Sequence, residues 1–363
     1  MKKNINLKNF KTLLFLIFIV IFFILIILIF NIKFNDKFIK KDNGVKNEKI
    51  KIGLIVGYGG FGDKSFNDMQ YNGIVKAKNL FPQIEISYYA PLNKNDIENK
   101  IIEFIKNGVK YIIIGEGYYG KDIIIKLAPI FENVNFILLD NKFDNYLKNM
   151  SSVLFKQNEV SFLTGALAAY FTKNKSLLFF GGMKLDVIDD FYIGFEQGIN
   201  YVSKNEGKEI KIYKEYFSDY ISEEKVWDSP DEAYKLINNL YKKYKFDIVY
   251  AVAAGTNLGV FRACKELSIF SIGVDSDQDY LLPGVVLTSA MKRLDNAIVK
   301  IVQKIVNNDL KNINYDFGLK EGGVSLTNFN FTRDIIGDEV ISKIKEIEQK
   351  IIDGEIKVGS IFK

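Results

Sequence analysis

From residue 50 onward, short unbroken apolar runs that end in glycine or aspartate alternate with longer segments whose apolar positions recur every third or fourth residue. The runs predict strands buried on both faces, and the segments predict amphipathic helices packed over them. Strands are expected at Ile50–Val56, Ile84–Tyr89, Tyr111–Ile114 and Phe136–Leu139, with helices at about Asn67–Leu80, Asp96–Asn107 and Lys121–Phe131. The pattern then restarts. Strands are expected at Ser152–Phe155, Ser176–Phe180, Ile210–Tyr216, Asp247–Ala253, Phe270–Val274 and Val285–Ser289. The second set of helices falls at Val160–Phe171, Asp190–Ser203, Asp231–Tyr244, Asn257–Leu267 and Asn296–Asn308. Strand-helix alternation of this kind predicts an α/β fold of two doubly wound parallel-sheet lobes joined by a hinge. The expected lobes are 50–155 with part of 290–318, and 156–289 with part of 319–363.

The N-terminal pattern is different. Residues 1–12 are basic, and Leu13 to Phe30 are 18 consecutive apolar side chains within an apolar segment at 13–32. That run is long enough for a transmembrane helix. No small-residue cleavage site follows it, so a retained anchor is favoured over a cleaved signal peptide. Lysines flank the run on both sides, so the charge bias leaves its orientation open. Residues 33–49 are rich in Lys and Asn and read as a tether.

Composition narrows the chemistry. The 363 residues contain no histidine, which removes His-based triads, His-ligated metals and imidazole proton relays. One cysteine, Cys264, allows no internal disulfide, and inside a predicted helix it reads as a small buried hydrophobe. Residues 1–50 carry ten lysines against Asp36, Asp42 and Glu48, a surplus of seven. The whole chain is only +5, so the remaining 313 residues are at −2. A slightly acidic folded part is a poor surface for a nucleic-acid polymer.

Ligands of open α/β sheets bind beyond the carboxyl ends of the strands, and two such sheets facing each other form a cleft there. After the first strand, Gly57-x-Gly59-x-x-Gly62 matches the dinucleotide fingerprint. The helix starts several residues too late for that role, Asp63 stands where a pyrophosphate needs donors, and no acidic residue ends the second strand. A glycine-rich turn approaching a small ligand is the better reading. In the same loop Ser65 is an expected N-cap, and Phe66 either packs on the helix base or offers a face for a planar ring. Asp140 follows the fourth strand and serves equally as a turn former or as an acceptor for ligand N–H and O–H groups. Asp275 ends a later strand, where Gly273 admits close backbone approach and the carboxylate can hold vicinal hydroxyls. Lys292 is either a solvated lysine or a cleft residue near a lobe crossing. Trp227, the single tryptophan, either lines the cleft or covers it.

Taken together, these residues resemble the basic membrane protein family of bacterial substrate-binding proteins. The carriers are Asp63-Lys64-Ser65-Phe66-Asn67, Phe162 to Ala169, Gly181-Gly182-Met183, Gly194-Phe195 with Gly198, and Ile272 to Gln278. Thr288-Ser289 with Lys292 and Gly318 to Gly322 add to them, so the resemblance spans about residues 50–360. It implies a type I periplasmic-binding-protein fold that closes on a nucleoside, of the purine class, for an ABC permease. In such receptors the residue at Phe66 stacks on the base with Asn67 beside it, the one at Asp140 contacts the base, and those at Gly273, Asp275 and Lys292 hold the ribose. Asp63, Trp227 and Tyr250 are further candidates for ligand contact. Gly57 and Tyr58 stand where family members often carry an acidic residue. No cofactor and no enzymatic turnover are implied. The N-terminal anchor would hold the soluble part on the outer side of the cell membrane. The alternatives are a surface adhesin or sensor that kept the fold, and a Rossmann-type nucleotide-using enzyme.

Overall fold

The computed structural model describes residues 48–57, 60–91 and 94–362. The basic N-terminus, the predicted membrane span and most of the tether lie outside the described residues. Among the described residues, no helix is long and apolar enough to cross a membrane.

Two six-stranded sheets organise the chain. The first has the order β11-β5-β4-β3-β1-β2, with β1 (Ile50–Ile55), β2 (Ile84–Tyr89), β3 (Tyr111–Ile114), β4 (Asn135–Leu139), β5 (Met150–Phe155) and β11 (Asn314–Phe317). The second repeats this plan as β12-β10-β9-β8-β6-β7. Its strands are β6 (Ser176–Gly181), β7 (Lys211–Tyr216), β8 (Ile248–Val252), β9 (Phe270–Asp275), β10 (Val286–Lys292) and β12 (Val324–Leu326). All pairings are parallel among the described residues except that of β12 with β10, so the second sheet is mixed at one edge. The sequence reading gave neither β11 nor β12. Each is short and half-buried, with too few residues to show a period.

Helices α1 (Phe66–Leu80), α2 (Lys94–Lys106) and α3 (Gly117–Leu127) belong to the first lobe, and α4 (Gln157–Phe171), α5 (Asp186–Glu206), α6 (Pro230–Tyr244) and α7 (Asn257–Glu266) to the second. The chain enters the second lobe between β5 and α4. It returns with α8 (Leu294–Val306), which packs on α1, and crosses again between β11 and β12 before α9 (Arg333–Ile336) and α10 (Asp338–Ile352). The crossings are bonded to one another: Lys156 N–H donates to the Phe317 carbonyl (3.0 Å), Arg293 N–H to the Gly323 carbonyl (2.8 Å) and Leu319 N–H to the Glu159 carboxylate (2.9 Å). That bundle of crossings is the hinge.

Central strands such as β8 are buried along their whole length because helices cover both faces. Between α4 and α5 the backbones nearly touch. A methyl group on Gly198 would lie 2.0 Å from the Phe162 carbonyl, and one on Gly165 would lie 2.1 Å from that of Phe195. Only glycine fits there, which gives a packing reason for the Phe162–Ala169 and Gly194–Gly198 motifs.

Candidate functional site

The carboxyl ends of both sheets open onto one cavity of about 570 Å³. Gly57 after β1, Glu116 after β3 and Asp140 after β4 reach it from the first lobe. Met183 after β6, Val252 of β8 and Asp275 of β9 reach it from the second. Phe66 and Asn67 line it from the start of α1, and Phe191, Trp227 and Lys292 from the opposite side.

The loop after β1 is organised by Asp63. Its carboxylate accepts hydrogen bonds from the N–H groups of Ser65 (2.9 Å), Asn67 (2.8 Å) and Asp68 (3.1 Å). Burial raises its pKa, against the pull of those donors. Asp63 therefore does the capping expected of Ser65, whose side chain makes no cap bond. An internal carboxylate sits on the donors and on the positive end of the helix dipole. No phosphate can use them, and the glycine fingerprint is a turn. Asn67 holds that turn through Nδ2, which donates to the Gly60 carbonyl (2.8 Å).

Freed from capping, the Ser65 hydroxyl donates to Asp275 Oδ2 (2.7 Å) and so bridges the lobes. Nearby, Gln278 Nε2 donates to the Lys64 carbonyl (3.2 Å), as does the Ser276 hydroxyl. Desolvation pushes the Asp275 pKa up to about 6; Lys292 and Ser65 oppose the rise, and the charges of Asp140 and Asp63 add to it. Asp140 is buried too, and its pKa is raised by desolvation against the opposing charge of Lys292. Lys292 Nζ lies 2.8 and 2.9 Å from the two Asp140 oxygens. The ammonium is also caged by the rings of Phe191 (4.9 Å), Phe66 (5.7 Å) and Phe155 (5.8 Å). With a side chain 3 % exposed, Lys292 is no solvated surface lysine.

Two candidates do not line the cavity. Tyr250 is fully buried inside β8, with its ring against Phe179, Phe191 and Phe195 and its hydroxyl on Ser161 (2.9 Å). A helix-covered central strand has no free face, so its ring belongs to the core. Gly273 lies behind the wall: a methyl group there would come within 2.8 Å of the Ser289 hydroxyl and of Gln278 Oε1. It makes room for Gln278, whose Oε1 accepts from Val274 N–H (3.0 Å) and closes the strand-end loop. Cys264 is buried.

The sequence reading missed Glu116, Phe191 and Phe362 as lining residues. Two of these sit in or beside helix starts that lie earlier than periodicity suggested: α3 begins at Gly117 rather than Lys121, and α5 at Asp186 rather than Asp190. Asp186 and Asp189 in the first turn of α5 were a usable signal, since acidic residues favour the positive end of a helix. Glu116 also answers the missing acid after β1, because its carboxylate stands 3.4 Å from where a Gly57 side chain would begin. Among the described residues, the lining side chains carry eight carboxylates and two ammonium groups. Such a wall repels anions and suits an uncharged guest rich in hydroxyl and N–H donors.

Residues 49–361 match the family model of PnrA-like ABC transporter substrate-binding proteins. Basic membrane protein D of Borreliella burgdorferi is 30 % identical over 335 residues, covering 87 % of this chain and 89 % of the relative. The CD4+ T-cell-stimulating antigen of Listeria monocytogenes is 28 % identical over 344 residues, covering 88 % and 91 %. A solved solute-binding protein of an ABC transporter system from Aeropyrum pernix superposes with a TM-score of 0.77 at 23 % identity, covering 86 % of this chain and 94 % of that one.

Proposed function

The chain belongs to the family of PnrA-like ABC transporter substrate-binding proteins, and from that premise we propose that its cleft captures a purine nucleoside for an ABC importer. The observation that carries the reading is that Phe66 and Asp275 line one cavity from opposite lobes. A phenyl face on one wall suits a planar base, and a carboxylate on the other suits the paired hydroxyls of a ribose. Asp140, with Lys292 and Glu116 near it, offers acceptors for the N–H groups of the base. The volume falls within the roughly 300–1,000 Å³ usual for small-molecule sites. Because Asp63 occupies the helix start and the wall is acidic, the guest is a nucleoside rather than a nucleotide. The predicted apolar helix at the N-terminus would tether the receptor on the outer face of the cell membrane, beside its permease.

Native mass spectrometry of the full chain in detergent, followed by calorimetric titration with guanosine, inosine and adenosine, tests the reading. A bound nucleoside recovered chemically unchanged is expected, with the corresponding 5′-monophosphates at least tenfold weaker, about 1.4 kcal/mol. Phe66→Ala should weaken nucleoside binding by about 1–3 kcal/mol through lost stacking. If none of the three nucleosides binds, or if a bound one is converted to product, the reading is wrong.

A further inference from the structure

The segment that follows α10 is fastened to the second lobe along a fixed path. Asn158 Nδ2 donates to the carbonyls of Val358 (3.2 Å) and Gly359 (3.1 Å). Gln197 accepts from Gly359 N–H (2.9 Å) and donates to its carbonyl (3.3 Å). Asp190 accepts from the Ser360 hydroxyl (2.6 Å) and from Ile361 N–H (3.0 Å). Exposure along the segment alternates: Lys357, Gly359 and Ile361 face solvent, while Ile356, Val358, Ser360 and Phe362 are partly buried. This is the period of an extended chain laid on a surface. The inward series ends at Phe362, which lines the cleft cavity.

The anchor is well placed to control that ring. Asp190 is fully buried on α5, directly before Phe191, whose ring lines the same cavity. A buried carboxylate spent on an exposed segment is costly unless its bonds are worth keeping.

We infer that Phe362 is a ligand-contacting residue of the cavity, on a wall that neither set of strand ends supplies, and that Asp190 is its positioning residue. The inference rests on the reading of the cleft as a nucleoside site. The cavity already carries the rings of Phe66, Phe191 and Trp227, and Phe362 adds an apolar ring suited to the flat face of a base.

Calorimetric titration of the full chain with guanosine, inosine and adenosine tests this in the parent, Phe362→Ala, Asp190→Ala and the double variant. Phe362 is partly exposed, so its replacement should leave the ligand-free melting temperature unchanged while affinity falls about tenfold. Asp190→Ala should produce a loss of the same size, and the double variant should be no weaker than the weaker single one, because Asp190 acts through Phe362. Should Asp190→Ala fold poorly, Ser360→Ala removes one of its two bonds to this segment and should show a smaller loss that also vanishes in the Phe362→Ala background. A parent that binds nucleoside with Phe362→Ala unchanged overturns this inference alone. Additive losses in the double variant overturn the role given to Asp190. A parent that binds none of the three nucleosides overturns this inference together with the reading of the cleft.

Discussion

Asp140 and Asp275 occupy the same place in the two lobes. Each closes the fourth strand of its lobe in chain order, each is nearly buried, and each has a left-handed backbone, with φ of 63° and 65°. Aspartate is among the few residues that adopt this conformation readily. Their partners differ. Asp140 is neutralised by the ammonium of Lys292, which ends β10 one residue before the chain crosses the hinge. Asp275 is held by a neutral hydroxyl from the opposite lobe, and it lies on the strand beside the one that Lys292 ends. Both bonds join the lobes, but the Asp140 pair is a buried ion pair that belongs to the frame, whereas the Asp275 bond is a single neutral contact. The lesson is that equivalent strand-end carboxylates lining one cavity are held by partners of different strength, an ammonium for Asp140 and a hydroxyl for Asp275.

The largest expected effect comes from the frame. Lys292→Met leaves Asp140 buried without its cation and should destabilise the protein by about 3–5 kcal/mol in denaturant titration, with part of the loss recovered in a Lys292→Met, Asp140→Asn double variant. A loss under about 1 kcal/mol would show that the pair does not anchor the hinge.

The helix pairs offer a second contrast. Gly198→Ala, which drives a methyl group into the Phe162 carbonyl, should cost about 1–3 kcal/mol. Gly73→Ala on α1 meets Ile298 Cβ at 2.9 Å and the Asp295 backbone at 3.1 Å, a milder clash that is offset by up to about 1 kcal/mol of helix propensity, so its loss should be the smaller of the two. Equal losses at both positions would mean that the lobes are packed alike.

Ser65→Ala removes the bond across the cleft and should cost about 1 kcal/mol in the ligand-free protein. Small-angle scattering should show a more open average shape; an unchanged radius would break the assignment of this bond to closure.

The smallest effect is the pH response. Because the folded-state pKa of Asp275 is raised from 3.8 to about 6, the folded state holds more protons than the unfolded one in that window. The stability it contributes is therefore fully present below the unfolded value and is lost as pH rises through about 6. Asp275→Asn should accordingly gain melting temperature relative to the parent between pH 4 and 7. Nucleoside affinity should move the other way in the parent, weakening as pH falls below about 6, because a protonated carboxyl is a poorer acceptor for hydroxyls. If the melting difference between Asp275→Asn and parent is flat over this range, the buried carboxyl is not titrating there.

By itself the sequence determined the α/β alternation and the strand ends where Phe66, Asp140 and Asp275 stand; it placed the restart at the fifth strand, which the structure keeps in the first sheet. All of these follow from local burial periodicity and from turn residues that interrupt it. Tertiary structure alone decided which of those ends face one cavity. It turned Lys292 inward onto Asp140, sank Tyr250 into the core, moved the capping of α1 from Ser65 to Asp63, and brought Phe362 from far along the chain to the cleft. The physical reason is that periodicity tells which side of an element is covered and never what covers it. A contact such as Ser65 with Asp275, 210 residues apart, exists only once two separately legible halves have closed on each other.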